Sequence, residues 1–361
     1  MGFSVIILLV VALSVYVFWH LWRITPGRWP LKLTVTGLFL LWMAILFGQY
    51  FSVEWFPIRL GIVLHEVGNA WLVAFLYLFL LFLVADLASL FHLLPKKYLK
   101  NSAAGLLTAF GIVALLMAYG GINYKHKYPV EMTVTTDKPL EKPLKIVMVS
   151  DLHLGYHNRK AELGRWVDII NAQNPDLVLI CGDLIDRSLQ PVLKGNYGEE
   201  FLRFKAPVWA VLGNHDFYGN VVRAEQFFKE SEILLLKDSV AHFKGVDVIG
   251  RNDLSSSGRA SLAQLADGLE GFTLVLDHQP FHLEEAQNAG IDFQFSGHTH
   301  HGQVWPISWL TDAIYDVAYG PFKRGETQYY VTSGLGIWGP KFRIGTRSEY
   351  FILHLESSNY L

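Results

Sequence analysis

Four apolar stretches, near residues 3–22, 31–51, 67–94 and 102–121, dominate the first third of the chain. Each matches the length of about 20 helical residues that crosses a hydrocarbon core. No stretch of that kind follows residue 124, and the charge follows the same divide. The first 124 residues carry 10 charged side chains and the remaining 237 carry 52. This predicts a membrane part over 1–124, a polar linker over 125–144 and a soluble domain over 145–361. The membrane part has a net charge of +4 and the rest −6. An acidic soluble part argues against a nucleic-acid partner, which would need a basic face. Cys181 is alone, which excludes an intramolecular disulfide and a disulfide-stapled fold.

The first stretch lacks a basic start and a small-residue cleavage site, so it reads as a retained span rather than a leader. Trp19, Trp22, Tyr50, Trp55, Trp71 and Tyr119 gather towards the stretch ends, as aromatics do at membrane–water boundaries. Arg23, Arg28 and Lys32 in the first connection, and Lys96, Lys97 and Lys100 in the third, outweigh Arg59 in the second. The positive-inside rule then puts loops one and three in the cytoplasm, with both termini and the soluble domain periplasmic or extracellular. Lys125, Lys127 and Lys138 after the fourth stretch pull the other way. Asp86 reads as a helix-end carboxylate facing water or a neighbouring span. His65-Glu66 begins a zinc-helix motif that Asn69 leaves incomplete. The bilayer is thus an expected partner of a multi-pass anchor.

Beyond the linker, short apolar runs alternate with amphipathic segments. Strands are expected at 145–150, 176–181, 207–212, 233–236, 241–243, 246–250, 272–276, 292–295, 328–332 and 350–355. Helices are expected at 160–171, 221–230, 260–269 and 281–289. The pattern is that of an α/β layered domain with a single core.

Chemistry-bearing residues follow five of these strands. They are Asp151-Leu152-His153, Gly182-Asp183, Gly213-Asn214-His215-Asp216, Asp277-His278 and Gly297-His298-Thr299-His300. Taken singly, the first four are ordinary turn or cap sequences. His298 and His300 are stronger, since alternate residues on an extended segment face one way and can share one centre. Five such groups in order, each where open α/β sheets place ligand sites, is not a chance pattern.

In this order the motifs resemble the signature of calcineurin-like metallophosphoesterases, over about residues 145 to 355. Gly302-Gln303 and Gly334-Leu335-Gly336 resemble its bacterial and transmembrane branch. The resemblance implies a two-sheet sandwich flanked by helices and a pair of divalent cations. By resemblance, Asp151, His153 and His300 would hold the first cation, Asn214, His278 and His298 the second, and Asp183 both. This implied set of Asp, Asn and His ligands contains no thiolate and suits Mn, Fe or Zn over Ca. His215 would be the acid at the leaving group. Asp216, Asp253 and His301 are candidates for substrate contact or support of the ligands. His301 stands where this branch has glycine, and Arg251-Asn252-Asp253 departs from its usual turn.

The expected activity is hydrolysis of phosphate mono- or diesters, on a phosphorylated small molecule or a lipid-linked substrate. Two alternatives are cleavage of a nucleotide-sugar pyrophosphate in a lipid precursor and a catalytically silent membrane sensor or scaffold. Trp305, Trp309, Tyr315, Tyr319, Phe322 and Trp338 form an aromatic group after the last metal motif. Core packing and a substrate- or membrane-facing lip explain it equally well.

Overall fold

The computed structural model describes residues 2–358; Met1 and 359–361, the ends of the expected domains, lie outside it. The side chains of 2–9 and 50–53, including Tyr50, are likewise outside the described residues. The chain divides into two compact units, Met1–Ile122 with Gly339–Phe342, and Asn123–Trp338 with Arg343–Leu361.

The first unit is helical. It contains α1 (Gly2–Ile24), α2 (Trp29–Ser52) and α3 (Ile58–Leu90), with α4 (Ala103–Lys125) running into the second unit. Among the described residues α2, α3 and α4 are long and apolar enough to cross a membrane, and Val10–Ile24 of α1 is a shorter apolar segment. α3 has 33 residues and starts nine residues before the expected stretch. Arg59, His65 and Glu66 lower the hydropathy of its first turns without breaking the helix, and Pro57 marks its start. Asp86 accepts hydrogen bonds from Tyr16 at 2.8 Å and pairs with His20 at 2.9 Å, so it faces the neighbouring α1. Asn69, which replaces the second zinc-motif histidine, bonds His65 and the Gln49 side chain of α2. Both clusters tie apolar helices together through polar groups.

The second unit begins with β1 (Lys127–Thr136), β2 (Leu144–Val149), α5 (Lys160–Ala172) and β3 (Leu177–Cys181). Next come two short helices, α6 (Gln190–Lys194) and α7 (Gly198–Phe201), then β4 (Val208–Val211), α8 (Asn214–Tyr218) and α9 (Val221–Glu230). β5 (Ile233–Leu235), β6 (Ser239–Phe243), β7 (Val246–Gly250), α10 (Leu262–Ala266) and β8 (Phe272–Leu276) follow. The chain closes with α11 (Glu284–Asn288), β9 (Phe293–Ser296), α12 (Ile307–Ile314), β10 (Gly320–Arg324), β11 (Thr327–Val331) and β12 (Ser348–Ser357).

Two six-stranded mixed sheets form, in the orders β1-β12-β2-β3-β4-β5 and β10-β11-β9-β8-β7-β6. The strands β2, β3, β4 and β5 are parallel neighbours, as are β7, β8 and β9. Period-two alternation sorts each strand's side chains between two faces. Ile146 and Met148 of β2 join Leu274, Phe293, Phe295 and Phe351 in the core between the sheets. Val147 and Val149 face the other way, onto Trp166 and Val167 of α5. Ile249 and Val275 turn outward from the second sheet onto Leu262 and Ala286 of α10 and α11. This is the expected helix-flanked sandwich.

The expected linker 125–144 is a correction: it carries the ten-residue strand β1, paired parallel to β12 over its whole length. β1 lies at a sheet edge, where Pro129 is tolerated because a missing N–H interrupts no inner ladder. Only Val134 of that strand is fully buried, so its sequence lacks a strand's apolar run.

Candidate metal centre

The carboxyl ends of β2, β3, β4, β8 and β9 converge on one region. Ser150, just past β2, donates to the Cys181 carbonyl at 2.6 Å. The N–H groups of Asp151 and His153 reach the carbonyls of Gly182 and Asp183 at 3.1 and 2.9 Å. These bonds lock the first two loops together. Asp151, His153, Asp183, His298 and His300 all adopt left-handed backbone, with φ between +44° and +69°. Non-glycine residues hold that conformation only where the surroundings over-determine it, and such strain gathers at functional sites. Gly182 sits where a Cβ would lie 2.5 Å from Nδ1 of His278, so only glycine allows that ring to close in.

Asp151, His153 and His300 bring their donor atoms within 4.8 Å of one another, and Asp183, His278 and His298 do the same. In the first group Nε2 of His153 is 3.1 Å from Nε2 of His300, which is 3.4 Å from Asp151 Oδ1. Asp183 stands between the groups: its Oδ2 is 3.5 Å from Nε2 of His153 and 3.1 Å from Nε2 of His278. Tetrahedral ligands about 2.1 Å from one ion are separated by about 3.4 Å, which these spacings bracket.

Two buried atoms support a fit to cations. Oδ1 of Asn214 has no hydrogen-bond partner among the described residues, and Nε2 of His278 meets the Asp183 carboxylate as an ion pair without a hydrogen bond of good geometry. Buried polar atoms are rarely left so. The other ends of both side chains are fixed: Asn214 Nδ2 donates to the Tyr218 hydroxyl at 3.0 Å, and His278 Nδ1 lies 2.8 Å from the Cys181 carbonyl. Each side chain is thus held by one end and offers the other, as metal ligands are.

Three buried carboxylates, Asp151, Asp183 and Asp186, are set among these histidines. Burial raises the Asp151 carboxyl, but His300 and His153 outweigh it and hold the group well below the usual range. Burial lowers His153, yet hydrogen bonds to Asp151 and Asp186 push it up to about 10. His300 lies well below its ordinary value, mainly through burial, and its Nε2 is 3.1 Å from Nε2 of His153. Burial, then the neighbouring His278, pushes His298 down to about 4. Cations bound among these carboxylates and histidines would displace protons from the imidazoles.

His215 donates its backbone N–H to Asp183 Oδ1 at 2.8 Å, and its ring lies edge-on to His153, centroids 4.6 Å apart. Its Nδ1 is 3.0 Å from Asp186 Oδ1, leaving Nε2 as the free end of the ring. Asp186 also approaches His153 Nδ1 at 3.6 Å. The sequence reading missed Asp186, and its only signal was a carboxylate three residues after Asp183. Arg343 was missed as well: fully buried, it donates to the carbonyls of His300, Ser333 and Gly336 at 2.8, 2.6 and 3.0 Å.

The three supporting candidates separate. Asp216 is buried and accepts from the N–H groups of Gly213 and Ile185, at 2.8 and 2.9 Å, clamping two ligand loops together. Burial and then Asp183 raise its carboxyl to about 7. Asp253 is buried and holds the Gln279 amide, beside His278, at 2.8 and 3.0 Å. His301 turns away from both groups of donors, stacking on Tyr319 with centroids 4.7 Å apart and pairing with Asp312 at 3.4 Å.

Residues 144–302 match the family model of calcineurin-like phosphoesterases. A metallophosphoesterase of Campylobacter jejuni is 32% identical over 256 residues, covering 68% of this chain and 68% of that protein. One of Helicobacter pylori is 31% identical, covering 63% of this chain and 64% of its own length. A transmembrane protein with a metallophosphoesterase domain from Danio rerio is 28% identical, covering 86% of this chain and 78% of that protein.

Proposed function

Because the chain belongs to the calcineurin-like metallophosphoesterases, hydrolases of phosphoric ester bonds, we propose that it is a membrane-anchored enzyme with a dinuclear centre. The observation that carries this is Asp183 Oδ2 standing within 3.5 Å of a histidine from each ligand group. Residues 1–124 serve as the anchor and 145–361 as the catalytic domain. The lysines and arginines of loops one and three favour the outer side for that domain.

Asp151, His153 and His300 would hold one divalent cation and Asn214, His278 and His298 the other, with Asp183 within reach of both. When bound, two such cations neutralise the ester oxygens and make water a nucleophile near neutral pH. The chain's own residues supply position and proton. Asp186 orients the His215 ring through Nδ1, so that Nε2 can deliver a proton to the departing alkoxide. The Asp183 carboxylate fixes the backbone of His215, which couples the acid to the ligand loop. A silent scaffold has no use for this oriented histidine.

Purified full-length protein with added Mn²⁺ should hydrolyse nitrophenyl phosphate mono- or diesters. Chelation should abolish turnover and readdition of the metal should restore it. A metal-loaded preparation that turns over neither ester would contradict the proposal.

A further inference from the structure

The aromatic group after the last metal motif divides in the folded chain. Tyr315, Tyr319 and Phe322 are half-buried and engaged, against Phe281, with Glu349 and against Tyr329. Trp305 and Trp309 instead stand out, 42% and 65% exposed, with ring centroids 5.2 Å apart. Leu310 and Ile314, one helical turn apart on α12, are 57% and 56% exposed. Short surface helices bury apolar residues inward, whereas α12 carries a large apolar share outward. Such patches mark a contact surface.

The covering partner follows from where the helix is attached. The Trp305 N–H donates to the Ile344 carbonyl at 2.7 Å. The carbonyls on either side, those of Arg343 and Thr346, each accept from Asn123 Nδ2 at 2.9 Å. Asn123 lies in the last turn of α4, a helix long and apolar enough to cross a membrane. One strip of chain, residues 343–346, thus joins the end of α4 to the start of α12. Trp305 is thus tied, through that strip, to the last turn of a helix of membrane-spanning length, and tryptophan is enriched where such helices leave a bilayer. α12 carries no lysine or arginine, and its one acid, Asp312, pairs with His301. The face suits an apolar boundary, not a charged partner.

The same element flanks the chemistry. The Tyr315 ring at the end of α12 is 6.2 Å from that of His298. Trp338, 36% exposed, lies 6.1 Å from the His215 ring. We propose that α12, with Trp305 and Trp309, is a lip that beds into the headgroup–acyl boundary of a lipid bilayer and presents the metal centre to phosphoesters carried there. The substrate class this names, lipid-borne phosphoesters, rests on the phosphoesterase reading; the bedding of the lip does not.

Cys181 is the single cysteine and is buried, so Leu310→Cys creates one reactive surface thiol. The full-length variant, nitroxide-labelled and reconstituted in phosphatidylcholine–phosphatidylglycerol vesicles, is probed with dissolved oxygen and with a water-soluble nickel chelate. Leu202→Cys, at a residue 52% exposed, is the control. The label at 310 should collide severalfold more with oxygen than with nickel, and the label at 202 should show the reverse. A 310 label as open to nickel as the control, or shielded from both reagents as beneath a second copy, overturns the proposal. In the same vesicles, Leu310→Ser/Ile314→Ser, which keeps both tryptophans of the lip, should lower the share of tryptophan fluorescence quenched by brominated lipids, while turnover of a soluble nitrophenyl ester persists. Unchanged quenching counts against the lip. Absence of wild-type ester turnover with the 310 label still in lipid would sink the phosphoesterase reading alone.

Discussion

Replacing Asp183 with asparagine is expected to reduce turnover by about 10³-fold or more and to reduce bound metal in the same preparation. Loss of one preorganised electrostatic partner costs a reaction about 10²–10³-fold. Asp183 is placed to act on two partners at once, because its Oδ2 faces His153 on one side and His278 on the other. An amide keeps the shape but loses the charge, and its nitrogen cannot serve as a ligand. Oδ1 of Asp183 also accepts the His215 N–H, so the substitution disturbs the acid's backbone as well. Metal analysis of wild type and variant beside nitrophenyl ester turnover checks the expectation. Full activity with full metal content in the variant would remove Asp183 from the centre of the account.

The second large effect separates proton delivery from metal binding. His215→Ala should retain both cations and lose about 10²–10⁴ in kcat, the range that general acid catalysis supplies. The loss should be largest for esters with poor leaving groups, which need the proton most. Asp186→Asn should show a smaller loss of the same kind, about 10–100-fold, as for partners that orient a working side chain. Its carboxylate is 3.0 Å from His215 Nδ1, and losing it frees the ring to take the wrong tautomer. A leaving-group series on metal-loaded proteins distinguishes the cases. If His215→Ala stripped the cations while activity per bound cation stayed normal, the histidine would be a ligand and not the acid.

The strands that position the centre were legible because they are buried on both faces. Parallel strands in that setting read as continuous apolar runs, and 246–250 and 272–276 match β7 and β8 end for end. Where a strand has one face in water the run disappears. β1 alternates polar with apolar residues around Pro129, and β10, Gly320–Arg324, is an edge strand with basic residues at its end. α12 was passed over because it is only eight residues long, although Ile307, Leu310 and Ile314 recur at helical spacing.

The candidate donor groups were legible for a different reason. Each sits directly after a strand, and strand ends in such sheets share one edge. Arg343 and Asp186 carried no comparable signal. An arginine in a polar loop normally ends in solvent, and nothing local says that three carbonyls will surround this one. Asp216 and His301, which adjoin motifs, read as candidates for substrate contact or support of the ligands, and adjacency alone does not separate those roles. Hydrogen bonds to Gly213 and Ile185 fix the first, and stacking on Tyr319 turns the second aside.

The most direct measurement is anomalous scattering from crystals of the protein grown with Mn²⁺. The account predicts two peaks about 3.5–4 Å apart. One should lie among Asp151, His153 and His300, the other among Asn214, His278 and His298, with the Asp183 carboxylate touching both. A single peak out of reach of Asp183, or ordered protein with no peak among these seven side chains, would contradict it.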